Sequence, residues 1–295
     1  MLQYRATMLP RAGDPADPPP METADVTRRL GEPIGLGEAR PPGTEEDPLA
    51  EALRLIALAN ERGLVMRLMG GLSIHVRCPE WTARVGRARR DIDLAARSQD
   101  RRELVALLAG EGYRPDRHYN ALYGHKQLYF YDDGRERAVD ILIDRLEMCH
   151  VLPFGERLLV DERTLPLAEM VLSKLQIVEI NRKDLVDLLA LFSEYAVADS
   201  DVDGINARRI VELTGNDWGW WRTVTGNIAK LEHFLERELR PGELDFGRPA
   251  RHDPRAQLRE LLGRIEAAPK SRGWKLRAIV GEKKRWYEVP EETEH

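Results

Sequence analysis

The pattern of apolar and polar positions divides the chain. The first 47 residues show no apolar periodicity, and a regular pattern begins at Pro48. Leu49, Leu53, Ile56, Leu58 and Ala59 recur at helical spacing and predict a helix ending near Gly63. A short apolar run over 64–69 leads into Gly70-Gly71, and residues 72–77 open another helix. The Arg-rich stretch 77–90 reads as a loop. Residues 91–96 read as a strand, and 100–110 as a helix with Leu104, Leu107 and Leu108 on one face. Runs at 126–131 and 138–143, joined by Asp132-Asp133-Gly134, predict an antiparallel hairpin. Beyond about residue 160 the periodicity is helical, over 167–180, 183–195, 205–213, 217–238 and 253–267, with a break near Asn181. Residues 274–289 alternate as a terminal hairpin would.

The expected fold class is therefore α/β of the α+β kind: a mixed sheet flanked by helices, followed by a helical C-terminal region. Three segments follow: a tail over 1–47, a mixed domain over 48–160, and a mainly helical domain with a terminal hairpin over 161–295.

Composition sharpens this picture in three ways. The tail holds eight of the 18 prolines and an excess of acids, so it buries too little surface to offset its ordering entropy and is expected to be disordered. The formal charge of −5 argues against general nucleic-acid binding and leaves only local basic patches for that role. The two cysteines, Cys78 and Cys149, lack metal-ligand spacing and read as reduced thiols. No apolar run is long enough to span a bilayer and no signal-peptide layout is present, so a cytoplasmic chain without a membrane partner is expected.

The candidate chemistry lies in carboxylates. Within Arg90-Asp91-Ile92-Asp93-Leu94, strand alternation turns Asp91 and Asp93 to one face and Ile92 and Leu94 to the core. The run 139–144 repeats the theme with Asp140 and Asp144 opposite Val139, Ile141 and Ile143. If the strands are neighbours, Asp91, Asp93 and Asp140 can meet. Hard oxygen donors of this kind suit Mg²⁺, or Mn²⁺, shared with substrate phosphates. Asp140 is equally placed to take a proton from an attacking hydroxyl. Upstream, Gly70 and Gly71 stand at a strand-to-helix junction, where backbone approaches a phosphate and helix N–H groups face an anion. Ser73 adds a hydroxyl.

The set Leu68-Met69-Gly70-Gly71, Asp91-Ile92-Asp93-Leu94 and Val139-Asp140-Ile141 resembles the DNA polymerase β-type nucleotidyltransferase superfamily. The resemblance implies a catalytic domain over 48–160. There the glycines would hold nucleotide phosphates, Asp91 and Asp93 would hold Mg²⁺, and Asp140 would complete the metal site or act as base. It implies transfer of a nucleoside monophosphate from an NTP to a hydroxyl of a tRNA, a protein or a small molecule. Lys174 followed by Arg182-Lys183-Asp184-Leu185-Val186-Asp187-Leu188 is similar to the AbiEii-type nucleotidyltransferase toxins of type IV toxin–antitoxin systems. That second resemblance implies that Lys174 approaches the phosphates, that Asp184 and Asp187 line the same cleft, and that an antitoxin protein is a partner. Two departures stand out: a long gap from Gly71 to Asp91, and Leu72 where relatives commonly carry Ser or Thr.

Other features carry less. Arg77, Arg84, Arg87, Arg89 and Arg90 fit either a solvated loop or a ring around the site entrance, with Arg90 in the cleft. The basic residues of 270–287, interleaved with Trp274, Trp286 and Tyr287, fit either base stacking or core packing. His75 lacks a partner in sequence, and Trp218, Trp220 and Trp221 read as packing residues. The alternative to an enzyme is a catalytically silent nucleotide-binding or RNA-interaction module on the same scaffold.

Overall fold

The computed structural model describes residues 43–86, 90–202 and 204–289. Helix α1, Pro48–Glu61, starts where the Asp47 carboxylate accepts from Ala50 N–H and Pro48 takes the first helical turn, whose N–H groups need no intrahelical acceptor. Strand β1, Met66–Leu68, leads directly into α2, Gly70–Arg77. Then follow α3, Pro79–Val85; β2, Ile92–Ala96; and α4, Arg101–Gly110. Strand β3, Arg114–Pro115, and helix α5, Arg117–Tyr123, precede β4, Gln127–Asp132, and β5, Arg137–Ile143. A small hairpin, β6 (Arg145–Glu147) and β7 (Val151–Pro153), leads to the helical part.

That part contains α6, Leu167–Leu175, and α7, Arg182–Glu194. After the short parallel pair β8 (Val197–Ala198) and β9 (Ile205–Asn206) come α8, Ala207–Asn216, and α9, Trp218–Arg237. Helices α10, Pro254–Ala267, and α11, Arg272–Val280, follow. No helix among the described residues is long and apolar enough to cross a membrane.

The main sheet has five strands in the order β1-β2-β5-β4-β3. Only the β2–β5 pairing is parallel; the others are antiparallel. The mixed α/β class with a helical C-terminal region is thus the observed one. Period-two alternation sorts the sheet's faces. Ile92, Leu94, Leu128, Phe130, Val139 and Ile141 are buried and pack with Leu55 and Ile56 of α1 and Leu104 and Leu108 of α4. The opposite face carries Asp93, Gln127, Tyr129 and Asp140, all half-buried. A second core, built around Leu172, Leu188, Phe192, Ile228 and Leu258, ties α6, α7, α9 and α10 together. It also takes in Ala95, Leu146 and Leu152, which joins the helical part to the sheet's polar-bearing side.

Three local expectations need correction. Residues 274–289 do not form a hairpin: α11 runs to Val280, followed by a 3-10 turn at Gly281–Lys283. The Ser271 hydroxyl accepts from Trp274 N–H, and Gly281 at φ +57° stops the helix. The apparent alternation reflects helix spacing instead. Trp274 and Arg277 turn inward, with Trp274 5.2 Å from the Trp221 ring and Arg277 4.7 Å from the Trp218 ring, while Leu276 and Ile279 are exposed.

Nor is the stretch 77–90 wholly loop. Helix α3 forms because Pro79 opens it and Gly86, at φ +63°, closes it, and the fully buried Trp81 donates from Nε1 to the Glu243 carbonyl at 2.7 Å. The helix expected over 167–180 stops at Leu175. The expected tail falls on residues outside the described ones, apart from 43–47.

Candidate active site

The parallel pairing of β2 with β5 places Asp93 directly across from Asp140. Both carboxylates line one cleft of about 250 Å³, together with Gly70, Gln127, Lys174 and Asp184. Leu142, Leu146, Met148 and Ile177 form its apolar wall. The sheet's half-polar face supplies one side, and α6 with the start of α7 supplies the other.

Gly70 is required by geometry. It has φ +61°, a region that L side chains rarely adopt, and a Cβ added there would lie 2.0 Å from Asp93 Oδ2. The Met69 N–H donates to the Asp93 carbonyl at 2.9 Å, locking the β1–α2 junction against β2. Met69 is the N-cap of α2 and provides no side-chain cap, so the first N–H groups of this helix have no such partner. Gly71 is buried in the helix and does not line the cleft. Ser73 is also buried, and its hydroxyl donates to the Gly70 carbonyl at 2.7 Å; it braces the junction and does not face the cleft.

Asp140 is held by a residue that sequence reasoning missed. Gln127 Nε2 donates to Asp140 Oδ1 at 2.6 Å, and Gln127 Oε1 accepts from the Tyr119 hydroxyl at 2.8 Å. Tyr129 pairs with Asp140 across β4 and β5. Burial raises the pKa of both Tyr119 and Tyr129, and the Asp140 carboxylate adds to the effect. The only sequence signal for Gln127 was its place in the alternation of β4, on the face opposite Leu128 and Phe130.

Asp91 stands apart. It precedes β2, is exposed, and is not among the residues lining the cleft. Its charge nevertheless reaches Tyr129, whose ionisation it disfavours, so it lies toward the Asp140 side. Among the described residues no group of three or more His, Cys, Asp or Glu side chains is assembled closely enough to hold a metal ion. The expected triad is therefore represented by the Asp93–Asp140 pair, with Asp91 at its margin. As a donor set, that pair still fits Mg²⁺, which keeps waters and takes one or two carboxylates plus substrate phosphates. Among the described residues that line the cleft, the charged ones are Asp93, Asp140, Lys174 and Asp184.

The second expected cluster is committed to packing. Lys174 Nζ lies 2.6 Å from Asp184 Oδ1 and 2.9 Å from Asp187 Oδ2. Asp187 is 1% exposed and does not line the cleft, contrary to expectation. Asp184 also belongs to the cap of α7: its N–H donates to Asn181 Oδ1, and its Oδ2 accepts from Asn181 Nδ2. Lys174 and Asp184 do reach the cleft wall, but their charges are already matched.

Arg77, Arg84 and Arg90 do not line the cleft either. Arg77 pairs with Asp161 at 2.8 Å and Arg84 with Asp245 at 3.3 Å. Arg90 is exposed, lies 3.6 Å from Glu136, and lines a separate surface depression with Asp133 and Arg135. Arg87 and Arg89 lie outside the described residues.

The aromatic C-terminal residues pack on α9. Trp286 is 5.9 Å from Trp218 and donates from Nε1 to the Thr223 hydroxyl oxygen at 3.0 Å. The same oxygen is 2.8 Å from His150 Nε2. Burial pushes the His150 imidazole down to about 4. No protein-family model matches the chain, and no curated protein matches it.

Proposed function

We propose that this chain is a metal-dependent nucleotidyltransferase, acting through Asp93 and Asp140. The observation that carries the reading is the in-register pairing of these acids beside Gly70, in one cleft. It joins the sequence resemblance to polymerase β-type nucleotidyltransferases to a sheet in which the resembling residues are neighbours.

In this reading Asp93 and Asp140 would hold Mg²⁺ or Mn²⁺, with Asp91 at the margin of the site. The bound cation would neutralise triphosphate charge and polarise the reacting phosphorus. The Gly70 backbone and the uncapped start of α2 receive phosphate oxygens. Asp140, oriented by Gln127, accepts the proton of the acceptor hydroxyl. The acceptor oxygen bonds to the α-phosphorus, the bond from that phosphorus to its bridging oxygen breaks, and pyrophosphate leaves with the electron pair. The AbiEii-type resemblance extends the proposal to a tRNA or protein acceptor and an antitoxin partner.

One observation favours the second reading, a catalytically silent nucleotide-binding or RNA-interaction module. Lys174, the cation expected at the phosphates, is already engaged by Asp184 and Asp187. Label transfer from each α-³²P-labelled NTP to RNA, protein and aminoglycoside acceptors separates the two. The enzyme reading expects Mg²⁺-dependent transfer that Asp93→Asn and Asp140→Asn each abolish. Nucleotide binding without transfer would establish the silent module.

A further inference from the structure

Beside the acid pair, on the side away from Gly70, lies a second cavity of about 590 Å³. Tyr119, Tyr123, Tyr129 and Tyr131 line it, half of the eight tyrosines in the chain. Their spacing is deliberate: i and i+4 on α5, i and i+2 on β4, so each pair shares a face. Tyr119 is 5.0 Å from Tyr123 and 6.2 Å from Tyr129, centroid to centroid. These rings do not fill a core, since α5 has no buried residue and Leu122 and Tyr123 are 55% and 45% exposed.

Hydrogen bonds and strand pairing link the cavity wall to the acid pair. The Tyr119 hydroxyl donates to Gln127, Gln127 donates to Asp140, and Tyr129 stands opposite Asp140. Strand order supplies the direction. Gly70 adjoins β1 and β2, the acids sit on β2 and β5, and the tyrosines lie on β4 and α5 beyond them. In an in-line transfer the donor and the attacking hydroxyl approach the phosphorus from opposite sides, so the tyrosine side belongs to the acceptor. Of the charged side chains that line the cavity, Arg114 is paired with Asp133 at 2.8 Å, so the rings are what it offers a ligand. Asp116 itself is turned to capping α5.

We propose that this tyrosine-lined cavity is the acceptor subsite, and that it stacks the terminal nucleobase of a nucleic-acid strand whose hydroxyl is presented to Asp140. The proposal rests on the nucleotidyltransferase reading for its direction, and on the rings themselves for its ligand. Aromatic side chains stack bases without regard to sequence, because every base has a π-face.

Fluorescence anisotropy with a 5′-fluorescein RNA pentanucleotide tests it, alongside binding of ATP and GTP. Tyr123→Ala should weaken the pentanucleotide by about five-fold or more, the range of single-base stacking. Tyr123→Phe, which keeps the ring, should stay within about two-fold of wild type, and NTP affinity should not change. Tyr123 is exposed, so both variants are expected to melt with the wild type. Absence of saturable RNA binding, or equal binding by wild type and Tyr123→Ala, would overturn the subsite. Label transfer to a protein or small acceptor together with that result sinks the subsite and leaves the enzyme reading standing. Tyr123-dependent RNA binding without any transfer does the reverse.

Discussion

Asp93 and Asp140 face each other in register across the one parallel pairing of the main sheet, and both open into the same cleft. They are far apart in sequence, and adjacent carboxylates on one face repel. A cation shared between them would offset that repulsion.

Gly70→Ala is expected to destabilise the β1–α2 junction. The residue holds φ +61°, and its Cβ would meet Asp93 Oδ2 at 2.0 Å. The left-handed backbone alone costs about 1 kcal/mol or more for an L side chain. Thermal melting should fall by several degrees, and Asp93 must shift, so Mn²⁺ affinity should fall with it. A melting curve and metal affinity both like wild type would show that the close approach is immaterial.

Gln127→Leu removes the donor that orients Asp140 while keeping the fold's alternation. Partners behind a metal-binding carboxylate are typically worth about ten-fold or more in metal affinity. A Mn²⁺ titration should show that loss with an unaltered melting temperature.

Lys174→Met should cost stability rather than catalysis. It removes the ammonium that sits between Asp184 and Asp187, the latter 1% exposed. Removing one member of a buried pair costs about 3–5 kcal/mol, whereas replacing the whole pair is often neutral. Urea denaturation should therefore show a large loss in Lys174→Met and substantial recovery in Lys174→Met/Asp187→Leu. Wild-type stability in the single variant would return Lys174 to the phosphates.

His150 confers acid sensitivity. Burial lowers its pKa from 6.5 to about 4, so the unfolded chain binds a proton in that interval that the folded chain refuses. The neutral form's contribution is fully present above the unfolded pKa and is lost as pH falls from 6.5 toward 4. The loss is on the order of 3 kcal/mol. Melting temperature followed from neutral to acid pH should decline less steeply in His150→Phe than in wild type.

Much of the frame was legible because alternation and caps are local. The run 139–144 announced β5 and the facing of Asp140, and the regular pattern from Pro48 announced the start of α1. The neighbourhood of Asp93 and Asp140 was expected only on condition that their strands pair, since register is a tertiary fact. Ser73 and Lys174 misled for one reason: a hydroxyl or an ammonium near a site satisfies the nearest acceptor, here the Gly70 carbonyl and the α7 carboxylates. Gln127 and Tyr119 were missed because a single polar residue in a strand, and a tyrosine on a short helix, carry no periodic signature. The terminal helix was misread because Trp274, Leu276 and Ala278 alternate in sequence while the helix sorts them by turns.

The account turns on whether Asp93 and Asp140 together hold a divalent cation with a triphosphate. Mn²⁺ electron paramagnetic resonance, titrated with and without a non-hydrolysable NTP analogue, reads this directly. Nucleotide should tighten Mn²⁺ binding in the wild type, and Asp93→Asn and Asp140→Asn should each abolish that gain. Mn²⁺ binding that ignores the nucleotide, or survives both substitutions, would contradict the account.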